Sequence, residues 1–133
     1  MKKIIIVNLI LVIALGCDPG DSLEANFLNS SEQDLSVVFS SSEYPHLNQN
    51  LFINKKQKKI YVQIDKKGTI TNILTFMDFD SIYITNTSNE VLKVYKADTP
   101  GKNIYNVDEY WQKREPSKNF FEYTYEITAE DIR

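Results

Sequence analysis

Two hydrophobic patterns divide the chain. Residues 4–15 form an almost unbroken apolar run, interrupted only by Asn8, whereas from Leu23 onward apolar and polar residues alternate. Alternation at period two marks strands with one covered face. Over 23–29, Ala25, Phe27 and Asn29 alternate with Glu24, Asn26 and Leu28; over 34–40, Leu35, Val37 and Phe39 share a face. Ser30-Ser31-Glu32-Gln33 between them reads as a turn, so these two runs are expected to pair as a hairpin. Residues 40–49 are polar, contain Pro45 and read as a loop, with a short strand at Leu51–Ile53. Over 59–64, Ile60, Val62 and Ile64 oppose Tyr61 and Gln63; Asp65-Lys66-Lys67-Gly68 then predicts a tight turn, and 69–76 a β-branched return strand.

The second half repeats the pattern. Ile82 and Ile84 oppose Tyr83 and Thr85, Asn86–Asn89 turns the chain, and Val91, Lys93 and Tyr95 oppose Leu92 and Val94. Residues 106–114 give the one helical expectation: Asn106 caps it, Asp108 and Glu109 suit its first turn, Pro116 stops it, and Val107, Tyr110, Trp111 and Arg114 share a side. Phe121, Tyr123, Tyr125 and Ile127 line a last strand, and Thr128–Asp131 has the spacing of a capping box. The whole predicts an all-β domain: an antiparallel β-sandwich, immunoglobulin-like or transthyretin-like in shape, of about seven strands with one short helix, a small β-barrel being the alternative.

The leading run is a different kind of element. Met1-Lys2-Lys3 is basic, and the apolar stretch has the length of a secretory signal core, well short of the ~20 residues a spanning helix needs. It ends in Ala14-Leu15-Gly16-Cys17, which resembles the lipobox of bacterial lipoproteins, with Ala14 where Leu is commonest. The resemblance implies cleavage between Gly16 and Cys17, a diacylglycerol on the Cys17 sulfur and an acylated amine; two or more acyl chains anchor stably. The expected organisation is a signal peptide over 1–16, a lipidated Cys and short tether over 17–22, and a β domain over 23–133. The expected location is the bacterial outer membrane, on its periplasmic or cell-surface face, with Asp18 and Asp21 in the pattern that favours surface display. Phe79–Asn86, Val91–Tyr95, Asn103–Asn106, Tyr110-Trp111 and Tyr123–Ile127 together resemble a group of small β-rich lipoproteins of Bacteroidetes-type bacteria. That resemblance implies an exported β domain; it supplies no activity and no functional residues to carry over.

Composition narrows the chemistry. One domain fits in 133 residues. Loss of Lys2 and Lys3 with the signal takes the net charge from −3 to −5, which gives no broad electrostatic reason to bind nucleic acid. A single Cys closes no disulfide within its chain. One histidine, His46, in a polar loop, and a Cys committed to lipid cannot build an ordinary zinc site or a nucleophilic triad, and no Gly-x-Ser-x-Gly or phosphate-cradling loop is present. Asp78 and Asp80 alternate around Phe79 without EF-hand spacing. No catalytic residue, metal or cofactor is therefore expected, and the domain reads as a non-enzymatic binding or structural module for a protein or glycan partner. An immunity- or inhibitor-type lipoprotein that blocks a toxin or hydrolase is the second reading. A glycan-active enzyme with spatially paired carboxylates is the third. Candidate contacts are Lys55, Lys56, Lys58 and Lys59 for an anionic surface, Tyr110 and Trp111 for an apolar patch, and Ser22 for O-glycosylation in an Asp-Ser-apolar tripeptide, which Asp80-Ser81-Ile82 also matches.

Overall fold

The computed structural model describes residues 20–68 and 74–133. Its strands are β1 (Asp21–Asn29), β2 (Leu35–Ser40), β3 (Gln49–Ile53), β4 (Lys58–Lys66), β5 (Ser81–Asn86), β6 (Val91–Tyr95), β7 (Gln112–Ser117) and β8 (Phe120–Ile127), with a 3-10 turn at Pro45–Leu47 and a helical turn α1 (Val107–Tyr110). They form two four-stranded sheets, ordered β4-β1-β8-β7 and β3-β2-β5-β6, and neither closes into a barrel. The fold is the expected all-β sandwich.

The pairing departs from the local reading at the first expected hairpin. β1 and β2 make no hairpin: β1 lies between β4 and β8, while β2 lies between β3 and β5 in the other sheet. The buried Asn29 side chain explains the crossing. Its Nδ2 donates to the carbonyls of Gln33 (2.8 Å) and Ile53 (3.2 Å), and its Oδ1 accepts from the Ser31 backbone N–H (3.0 Å) and hydroxyl (2.7 Å). The amide thus clips the end of β1 to the connector and to β3, which satisfies the polar backbone that a crossing between layers would otherwise strand. β1 also runs parallel to β8, a pairing of the domain's first and last strands.

Two bulges change which side chains face inward. In the β1–β4 ladder the register slips between Ala25 and Asn26, so that Ala25 faces Val62 and Asn26 faces Ile60. The extra residue, Tyr61, turns inward and stacks on Phe39 at 4.6 Å, while Ile60 is left 46% exposed. In the β5–β6 ladder, Ile84 faces Lys93 but Thr85 faces Val91. Val91 therefore joins Val94 on the outer face instead of sharing the side of Lys93 and Tyr95, as alternation alone predicts.

The interlayer space is largely aromatic. Phe27 meets Phe39, Tyr61, Trp111 and Tyr125 with centroids 5.1–6.0 Å apart. The expected helix over 106–114 is only one turn: Trp111 is already extended and residues 112–117 pair with β8. Packing overrides propensity here, because the extended backbone drops the Trp111 ring between Phe27 and Phe76. Pro116 does not stop a helix but sits in edge strand β7, where the ladder is irregular between Arg114 and Ser117 and no donor is missed. Asn106 does not cap the turn with its side chain; its amide donates to Glu109 instead. Of the expected return strand over 69–76, residues 69–73 lie outside the described residues, and Leu74 and Phe76 are buried without strand pairing. The capping-box spacing does close: Asp131 Oδ2 accepts from the Thr128 N–H (2.7 Å) and from Lys102 Nζ (2.6 Å).

Burial pushes the phenols of Tyr61, Tyr95 and Tyr105 up to about 12, and that of Tyr125 further still. An unfolded phenol ionises near 10. These raised values contribute stability that is complete below about pH 10 and is lost as pH rises towards 12. Spectrophotometric titration at 295 nm is expected to show these four tyrosines ionising late and together with unfolding; independent ionisation near pH 10 with the fold intact would contradict their burial.

Candidate binding surface

The two outer faces of the sandwich differ in chemistry. On the β4-β1-β8-β7 sheet, Glu24 stands beside Glu122, and Leu28 stands between Lys58 and Glu126. Glu122 takes an ion pair from Lys58 at 3.1 Å, with Arg114 at 3.9 Å. On the β3-β2-β5-β6 sheet, registers align Phe52, Ser36, Thr85 and Val91 in one row and Asn50, Val38, Tyr83 and Val94 in the next, with Ser40 beside Ser81 beyond. No position in these rows carries a charge. Phe52, Val91 and Val94 are 48%, 53% and 45% exposed, and Val38 and Tyr83 are half-buried between them.

The face is held in place by local bonds at its margin. Asn48 Oδ1 accepts from the Ser41 N–H at 2.6 Å, which closes the 41–48 loop across its base, and Asp80 Oδ2 accepts from the Ser42 N–H at 2.6 Å, which ties the loop to the residue before β5. The Ser42 bonds hold the Asp80 carboxyl below its ordinary range. Val38, Ser40, Asn48, Asn50 and Tyr83 line a shallow, open depression of about 390 Å³ on this face. Among the described residues no side chain engages the Asn50 amide or the hydroxyls of Ser36 and Tyr83.

No family model, curated protein or solved structure matches this chain.

Several residues singled out in the sequence stand elsewhere. Trp111 is 5% exposed, and its indole N–H donates to the Ile104 carbonyl at 2.8 Å. It offers no surface ring, so Tyr110 and Trp111 do not form an exposed patch; Tyr110 is half-buried against the core. Lys55, Lys56, Lys58 and Lys59 are exposed at the β3–β4 turn, where Lys56 pairs with Glu32 and donates to the Ser30 carbonyl. That turn lies beside the end of β1, since Leu28 faces Lys58 and the Asn29 N–H donates to the Gln57 carbonyl. The start of β1 is eight residues away, about 27 Å along a strand. Ser22 is not in a flexible tether: β1 begins at Asp21, and the Ser22 N–H donates to the Asn119 carbonyl at 2.8 Å. Ser81 opens β5 opposite Ser40. His46 is exposed, edge-on to Tyr44. Gly16 and Cys17 lie outside the described residues. Among the described residues no three His, Cys, Asp or Glu side chains cluster to hold a metal, and no helix is long and apolar enough to cross a membrane.

Sequence reasoning missed the uncharged face for a definite reason. Val38, Tyr83 and Val94 sit at polar-phase positions of their strands, a signal present in the sequence. Val91 reaches the face only through the β6 bulge, and Phe52 only through the β2–β3 register.

Proposed function

We propose that this protein is a lipid-anchored, non-catalytic binding module of a bacterial envelope, which recognises its partner on the outer face of the β3-β2-β5-β6 sheet. One observation carries this reading. In a chain with 15 basic and 18 acidic side chains, the ten register-aligned positions of one sheet face carry none, and Phe52, Val91 and Val94 are exposed there instead. The opposite face, with its Lys58–Glu122 pair, has the charged character of ordinary solvated surface. The shifted carboxyls have structural causes. The hydrogen bond and charge of Lys56 lower Glu32, and at Asp131 the effect of burial is outweighed by Lys102 and Thr128.

The lipid reading rests on Ala14-Leu15-Gly16-Cys17 after the apolar run. A lipid on Cys17 would place the membrane near the start of β1, because residues 18–20 span at most ~10 Å. Lys55–Lys59 would then lie at the end away from that membrane, too far to meet its headgroups.

Both parts are testable in one preparation. Cys17→Ser is expected to move the protein from the membrane to the soluble fraction; firm membrane retention of this variant would defeat the anchor. Phe52→Lys with Val94→Lys is expected to abolish recovery of the bound envelope component without changing the melting temperature. Unchanged recovery would remove the face from the function.

A further inference from the structure

We infer that the uncharged face takes an extended neutral glycan, an inference that rests on the binding-module reading and names its ligand. The first ground is charge. A ligand bearing phosphate, sulfate or carboxylate would lose hydration on contact with two rows of side chains that offer no counter-charge. A neutral ligand bears no such penalty.

The second ground is the kind of group displayed. Phe52 and Tyr83 stand two strands and two residues apart, about 12 Å at ordinary sheet spacings. Between them lie Val38 and Ser36, and beside Val38 the Asn50 amide. Sugar rings are amphipathic in the matching way: their C–H faces lie against aromatic rings, and their hydroxyls both donate and accept. The unengaged Asn50 amide and the hydroxyls of Ser36 and Tyr83 also supply donors and acceptors without charge. Two rings at this separation suit a ligand of several linked units, lying across the strands over the open depression beside Tyr83.

The third ground is area. Four strands about 4.8 Å apart and five residues long at about 3.4 Å per residue make a face of about 330 Å². A stable protein pair buries about 800 Å² on each side. A second copy of this chain docked on this flat face alone would have to recruit surface beyond it to reach that size, whereas an oligosaccharide lying across the strands can be accommodated on the face itself.

The test uses the protein purified from membranes in its processed, lipid-bearing form, in a polyoxyethylene detergent, which has no sugar headgroup, run by native affinity electrophoresis through gels containing hydroxyethylcellulose, xylan, mannan or, as the charged comparison, heparin. Retardation by at least one neutral polymer is expected, unchanged when salt rises from 50 to 500 mM. Phe52→Ala and Tyr83→Ala are each expected to weaken it at least tenfold with an unchanged circular-dichroism melt, and Arg114→Ala on the opposite sheet to leave it as it was. No retardation by any neutral polymer, retardation by heparin alone, or full binding by both aromatic variants would overturn the glycan. If the glycan fails while the Phe52→Lys/Val94→Lys variant still loses a protein from the envelope, the binding face survives with a protein partner. If both fail, the face itself is not the site.

Discussion

Trp111→Ala is expected to cost about 3–5 kcal/mol of stability. The ring is 5% exposed, stacks on Phe76 at 5.2 Å and meets Phe27 and Tyr125 edge-on or tilted at 5.1 and 5.5 Å. Truncation removes all three contacts together with the hydrogen bond to the Ile104 carbonyl, and opens a cavity between Phe27 and Tyr125 of one sheet and the buried Phe76. A domain of this size loses roughly 4 °C of melting temperature per kcal/mol, so a drop of roughly 12–20 °C should appear by calorimetry. Trp111→Phe keeps most of the volume and orphans only the carbonyl, a loss of about 1–3 kcal/mol. A Trp111→Ala melt within a few degrees of the parent would mean that the ring is not in the core, and would return it to the surface patch that its place beside Tyr110 first suggests.

The second large effect is at Asn29. Replacing it with Leu keeps the bulk but leaves the Gln33 and Ile53 carbonyls and the Ser31 N–H without their buried partner, at a cost of about 3 kcal/mol or more. Asn29→Asp separates packing from bonding. Ionised, it would keep the Ser31 bonds and aim a negative oxygen at two carbonyls; protonated, it could donate to one of them. Its folded-state pKa should therefore be raised. The stability it retains would be present in acid, below the unfolded value near 3.9, and lost as pH rises through the folded value. Urea unfolding at pH 3.5 and pH 7 measures this as a difference from the parent at each pH. Equal losses at both would show that the donor side of the clip is unimportant.

Much of the architecture is legible without coordinates because it is written at period two. Ile82 and Ile84 against Tyr83 place β5 and its buried face, and Asn86–Asn89 places the turn into β6. Leu35, Val37 and Phe39 do the same for β2. Each of these signals is local, and local alternation survives whatever the strand pairs with. The 106–114 segment fails for the complementary reason. Its spacing fits a helix, but burying Trp111 and pairing residues 112–117 with β8 are worth more than further turns of a short solvent-exposed helix.

The sequence by itself determined the apolar run over residues 4–15 ahead of Cys17, the all-β character of the domain after it, and most of the residues that make its core. Tertiary structure alone decided the partners. β1 joins β8 across nearly the whole domain, and the Asn29 amide carries the chain from one sheet to the other. It also decided the candidate surface. One bulge turns Tyr61 inward and another turns Val91 outward, and register alone sets Phe52 and Tyr83 on the same uncharged face. The physical reason is that a side chain's alternation is a property of its own strand. Pairing, register and bulges are properties of two strands, fixed only when distant segments compete for the same hydrogen bonds and the same buried volume.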